Sequence, residues 1–133
     1  MEYKGMERRE CERFKIPDAT LRYETKKGLF KRILSEDYCP IHEMSRGGVR
    51  FLCQNRMKIG SEITINIQIP DEDVPMTING EVIWSTMYAT RGYKYQIGVQ
   101  FYPFLMKKGE NPPETLEKII ALEKNFGGKE IEG

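Results

Sequence analysis

From Ile63 to Ile69 every second residue is isoleucine, and the residues between them are Thr64, Asn66 and Gln68. Successive side chains leave a strand on opposite faces, so this period of two marks a strand with one buried face; a helix would scatter the same isoleucines around its circumference. Residues 19–25, 48–53, 77–84 and 93–101 repeat the alternation, and glycine-bearing turns at Lys26-Lys27-Gly28 and Arg91-Gly92 separate some of them. In 93–101 the odd-numbered residues form a mainly apolar face, and Lys94, Gln96 and Gln100 form the other. The segment 29–42 fits either period and is interrupted by Pro40. After Pro112-Pro113, Leu116, Ile119, Ile120 and Phe126 fall at helical spacing, and Gly127-Gly128 ends the run. Many short strands followed by one helix favour a mainly β chain, a small barrel rather than a mixed sheet.

With 133 residues the chain has the length of one domain. Lys and Arg number 21 against 20 Asp and Glu, a net charge of +1, so no general field attracts nucleic acid and any anion site must be local. The N-terminus lacks an apolar core of signal-peptide length, and no later stretch approaches a membrane span, which predicts a soluble cytoplasmic protein. Three cysteines, Cys11, Cys39 and Cys53, then read as reduced thiols. Cys39 and His42 invite a zinc reading, but His42 is the sole histidine and no second close pair completes a ligand set. No nucleophile with an orienting partner stands out, so neither a metal cofactor nor an enzyme is expected.

Two stretches stand apart from the scaffold. The first, Glu7-Arg8-Arg9-Glu10-Cys11-Glu12-Arg13-Phe14, sets Arg9 and Arg13 four apart with Arg8 immediately ahead. The second, Ile41-His42-Glu43-Met44-Ser45-Arg46-Gly47-Gly48-Val49-Arg50-Phe51, is a polar turn with paired glycines between apolar strand ends. Arginine presents a planar fork that grips phosphate or the O6 and N7 edge of guanine and also stacks on rings. A carboxylate accepts from the guanine N1 and N2 hydrogens, and glycine lets a backbone approach a ligand closely.

In this order the pair resembles the bacterial PilZ domain family, whose hallmarks are RxxxR followed by (D/N)xSxxG. Arg9 and Arg13 match the first motif. Ser45 and Gly48 match the second, in which Glu43 replaces the family's Asp or Asn. The resemblance runs from about Glu7 to Phe101 and includes Gly80-Glu81-Val82-Ile83-Trp84 and Ile97-Gly98-Val99-Gln100-Phe101 as closing strands. It implies a six-stranded antiparallel barrel over 15–105, a flexible N-terminal arm over 1–14 and a C-terminal helix over 112–128. It also implies a receptor for cyclic di-GMP that has no enzymatic activity and signals to a protein partner through the arm. The ligand set it implies is Arg8, Arg9, Arg13, Glu43, Ser45, Arg46, Gly47 and Gly48. Arg9 and Arg13 serve as the main clamps, and Arg8 stands where an extra arginine accompanies an intercalated ligand dimer. Glu43 keeps the acceptor charge with one more methylene to order, which weakens binding without abolishing it.

Other readings compete. Glu7, Glu10 and Glu12 are interleaved with the arginines and would make the first stretch a solvated charge run. Ser45, Gly47 and Gly48 also suit an ordinary turn. A PilZ-like adaptor acting by protein contacts alone is favoured by Glu43 and opposed by the complete arginine set. A small barrel binding RNA or single-stranded DNA needs aromatics interleaved with a basic stripe, of which Tyr93, Lys94 and Tyr95 are only a fragment. Trp84 reads as a core or barrel-face aromatic.

Overall fold

A computed structural model describes residues 13–27, 32–90, 92–105 and 107–127. Six strands, β1 (Thr20–Lys27), β2 (Arg32–Met44), β3 (Gly48–Cys53), β4 (Glu62–Gln68), β5 (Met76–Thr90) and β6 (Tyr93–Phe101), precede one helix, α1 (Pro113–Phe126). The strands pair antiparallel around a closed barrel in the order β1-β2-β3-β6-β5-β4. The isoleucine run is β4: Ile63, Ile65 and Ile67 are buried, while Thr64 and Asn66 hydrogen-bond outside to Asn79 and Thr77 of β5.

The ambiguous 29–42 segment contains most of one long strand. Pro40 is tolerated because it stands opposite Thr20, where β1 begins, and the next amide, Ile41 N–H, turns to the Ala19 carbonyl. Irregular pairing opposite Arg22 and a left-handed Tyr38 (φ 58°) accompany this bend. Strand β5 runs past Trp84, where the sequence alternation fades, to Thr90. Gln96 also departs from its expected polar face; it lies between its cross-strand neighbours Leu52 and Thr86 and is buried.

The core joins Leu21, Tyr23, Phe51, Ile65, Ile78, Ile97 and Val99 inside the barrel, with the Tyr23 and Phe51 rings 5.7 Å apart. Ile119 of α1 is fully buried in the same cluster, and Leu122 and Phe126 pack against it. Pro113 begins the helix where its missing N–H costs nothing. Phe14, expected at the end of a flexible arm, is 1% exposed and exchanges two backbone hydrogen bonds with Met44, so the barrel's pairing already includes it. Residues 1–12 of that arm lie outside the described residues.

A buried side chain that carried no sequence signal holds the helix to the barrel. Asn111 Nδ2 donates to the Asn79 and Tyr102 carbonyls at 3.0 and 2.9 Å, and its Oδ1 accepts from Asn79 N–H at 2.7 Å. Asn111→Ala strands these groups without partners, and chemical denaturation is expected to show a loss of about 2–3 kcal/mol.

Cys39 and Cys53 are free and buried. Burial pushes the Cys53 thiol up to about 11 and Cys39 further, with Glu36 adding to both; burial also raises the Tyr23 hydroxyl. The unfolded chain loses these protons first as pH rises. Stability supplied by the neutral forms is therefore complete below the ordinary thiol range and falls above it, towards the folded values. The denaturation midpoint should decline above about pH 9. Cys39→Ala with Cys53→Ala should flatten the decline, and a midpoint constant with pH in the parent protein would contradict it.

Candidate ligand groove

Beta strands 2 and 3 are joined by Ser45-Arg46-Gly47, and this turn is held from within and from β6. Ser45 N–H donates to the Gly48 carbonyl at 2.8 Å, Gly47 N–H donates to Ser45 Oγ at 3.2 Å, and Phe101 N–H donates to the Gly47 carbonyl at 2.8 Å. Because Ser45 Oγ accepts within the turn, its own proton remains for a further acceptor. Gly48 packs so closely on β6 that a Cβ would strike the Val99 carbonyl. Only glycine fits there.

Beside the turn lies a groove of about 690 Å3, lined by Arg13, Glu43, Ser45, Gly47, Gly48 and Arg50 on one side and by Ile83, Trp84, Gly98 and Gln100 on the other. The pairing of β5 with β6 shifts by one residue between Val82 and Trp84, a bulge that accompanies the exposure of both Ile83 and Trp84. Trp84 lies across Gly98, where an added Cβ would come within 3.1 Å of the Trp84 Cβ and 3.5 Å of the indole's Cε3. The missing side chain at Gly98 thus sets the depth at which the ring sits.

The charges in this groove are paired. Glu43 Oε2 lies 3.4 Å from Arg13 Nη1 and 3.6 Å from Arg50 Nη1; the carboxylate is only 17% exposed, against 64% for Arg13. Glu43 and Arg50 are direct cross-strand partners after a bulge between Ile41 and Glu43. Arg50 also lies over the Trp84 ring, 5.0 Å from its centroid. Arg46, on the same turn, donates from Nε to Glu123 Oε1 of α1 at 2.7 Å.

The structure thus brings Arg13, Glu43, Ser45, Gly47 and Gly48 together and binds Arg46 to the helix. Arg8 and Arg9 lie outside the described residues. Trp84 proves to be a barrel-face aromatic. Sequence reasoning missed Arg50, Ile83 and Trp84 as groove residues and Glu123 as a partner of the turn. The two-residue offset from Gly48 to Arg50 puts both on one strand face and was the available signal for Arg50; nothing local to Glu123 announced its contact. Among the described residues no three His, Cys, Asp or Glu side chains are placed to hold a metal ion, and no helix is long and apolar enough to cross a membrane.

The PilZ domain family matches residues 7–108, and the chain belongs to that family. Two solved structures share the fold. MrkH of K. pneumonia, in complex with c-di-GMP, superposes with a TM-score of 0.57 at 15% identity, over 87% of this chain and 52% of that one. The inhibitor of motility MotI/DgrA of Bacillus subtilis gives a TM-score of 0.53 at 15% identity, over 89% and 52%. The chain therefore spans about half the length of these structures. No curated protein matches it.

Gly48→Ala tests the close approach at the groove floor. The added methyl must part β3 from β6, so the variant should unfold about 1–3 kcal/mol more easily, while Gly47→Ala, with nothing within 4 Å of its Cβ position, should be far milder.

Proposed function

We propose that this protein is a cyclic di-GMP receptor that binds the nucleotide in the groove beside the 45–48 turn and passes the signal to a protein partner. The observation that carries the reading is the convergence of Arg13, from one motif, with Glu43, Ser45, Gly47 and Gly48, from the other, on one groove beside an indole ring. Family membership and the fold shared with a protein solved with c-di-GMP support it.

The groove suits this ligand chemically. Arg13 supplies a fork for a phosphate or a guanine edge, Glu43 accepts from guanine N1 and N2 hydrogens, and Ser45 retains a donor. The bare backbone at Gly47, with nothing within 4 Å of its Cβ position, allows close approach, and Gly48 lets the turn close onto β6. Arg8 and Arg9, a few residues before Arg13, complete the clamp from the N-terminal side, and binding changes the conformation of that arm. Arg46 joins the set when it exchanges Glu123 for ligand. The protein then acts in the cytoplasm as a receptor without enzymatic activity, with no DNA or RNA partner.

A ligand-independent adaptor is the second reading, and one contact favours it: Glu43 already neutralises Arg13. Isothermal titration with cyclic di-GMP separates the two. The receptor should show saturable heat at micromolar ligand, with quenching of its single tryptophan, Trp84. Arg9→Ala and Arg13→Ala should each weaken binding about ten- to a hundredfold, the range for losing a charged hydrogen bond. Folded protein with no heat at high micromolar ligand, and no site gained on Glu43→Asp, would establish the adaptor instead.

A further inference from the structure

Arg50 belongs to neither arginine motif, yet it is the best-placed cation of the groove. Its strand register and two side-chain contacts place it. Its backbone pairs across the strands with Glu43, its guanidinium lies over Trp84, and its Nη1 faces the same carboxylate oxygen, Glu43 Oε2, that Arg13 approaches from the arm side. The side chain remains 39% exposed, and it lines the groove.

An arginine that lies over a ring and within ion-pair distance of a carboxylate has part of its rotamer freedom restricted before a ligand arrives, so less is lost on binding. Its five N–H donors exceed what one long carboxylate contact uses. Arg13 and Arg50 therefore converge on one anion position, which a single Glu43 oxygen now fills. A phosphodiester offers two unesterified oxygens and suits two convergent forks better than one carboxylate oxygen does.

We propose that Arg50 is a phosphate-binding residue of this groove, held ready by Trp84 and Glu43. The inference rests on the cyclic di-GMP reading and adds a residue and a sequence of contacts to it. The ligand phosphate replaces Glu43 between Arg13 and Arg50, and the carboxylate so released becomes the acceptor for the guanine N–H groups. Counter-ion in the empty groove and base acceptor in the filled one are then two roles of one side chain.

A double-mutant cycle separates direct contact from an effect through Glu43. Cyclic di-GMP affinity is measured for the parent protein, Arg50→Gln, Arg50→Lys, Glu43→Gln and the Arg50→Gln, Glu43→Gln pair, with thermal melting to confirm folding. The expected results are a tenfold or greater weakening in Arg50→Gln, a smaller loss in Arg50→Lys, and persistence of the Arg50→Gln loss in the Glu43→Gln background. Affinity within twofold of the parent for Arg50→Gln overturns the proposal. So does disappearance of the loss when Glu43 is already Gln, because Arg50 would then act only by placing Glu43. Should Arg50→Gln fail to fold, Arg50→Lys carries the test, and parental affinity there overturns the proposal. If the parent binds no cyclic di-GMP, the receptor reading falls and this one falls with it; a parent that binds, with Arg50 variants that bind equally well, overturns this inference alone and leaves the receptor reading standing.

Discussion

Closure of the sheet is the constraint on which everything else depends. Strand β1 is hydrogen-bonded to β2 on one side and β4 on the other, so the six strands form a ring with no free edge. A closed ring of this size has an interior filled by side chains, here the isoleucines of β4 with Tyr23 and Phe51. The candidate groove is therefore an outside feature, built where the β2–β3 turn, the bulge of β5 and the glycines of β3 and β6 meet on the outer face. Three absences of a side chain, at Gly47, Gly48 and Gly98, shape it as much as any side chain does.

The near-neutral net charge gains a local meaning. Arg13, Arg46 and Arg50 lie around one turn, and each has a carboxylate partner, Glu43 or Glu123. These ions are partly exposed, so the pairs add little to stability. Their importance is positional: they hold three guanidinium groups in a small region without a long-range positive field. Such a surface sets closely spaced arginine forks side by side with their charge balanced locally.

Much of the fold was legible because binary patterning states it directly. The isoleucine run, the 48–53 and 93–101 strands and the C-terminal helix lie where their periodicity places them. Illegibility has particular causes. Strand β2 was obscured by Pro40, which sits where the strand changes partners, and the end of β5 by a stretch from Ser85 to Thr90 that lacks alternation. Gln96 and Asn111 are polar residues buried by tertiary neighbours, which no local pattern records. The turn residues of the site were legible as a motif, whereas Arg50 and Trp84 come together only through strand registers, and Glu123 reaches Arg46 from 77 residues away.

Helix α1 ends beside the start of the barrel's pairing: a Cβ on Gly127 would lie 3.5 Å from that of Phe14, whose neighbour Arg13 lines the groove. The last turn of the helix therefore meets this region at two points, Glu123 at Arg46 and Gly127 at Phe14. Both points lie on a single rigid turn of helix, so they are not placed independently. A displacement of the helix end therefore reaches the β2–β3 turn and the residue beside Arg13 together.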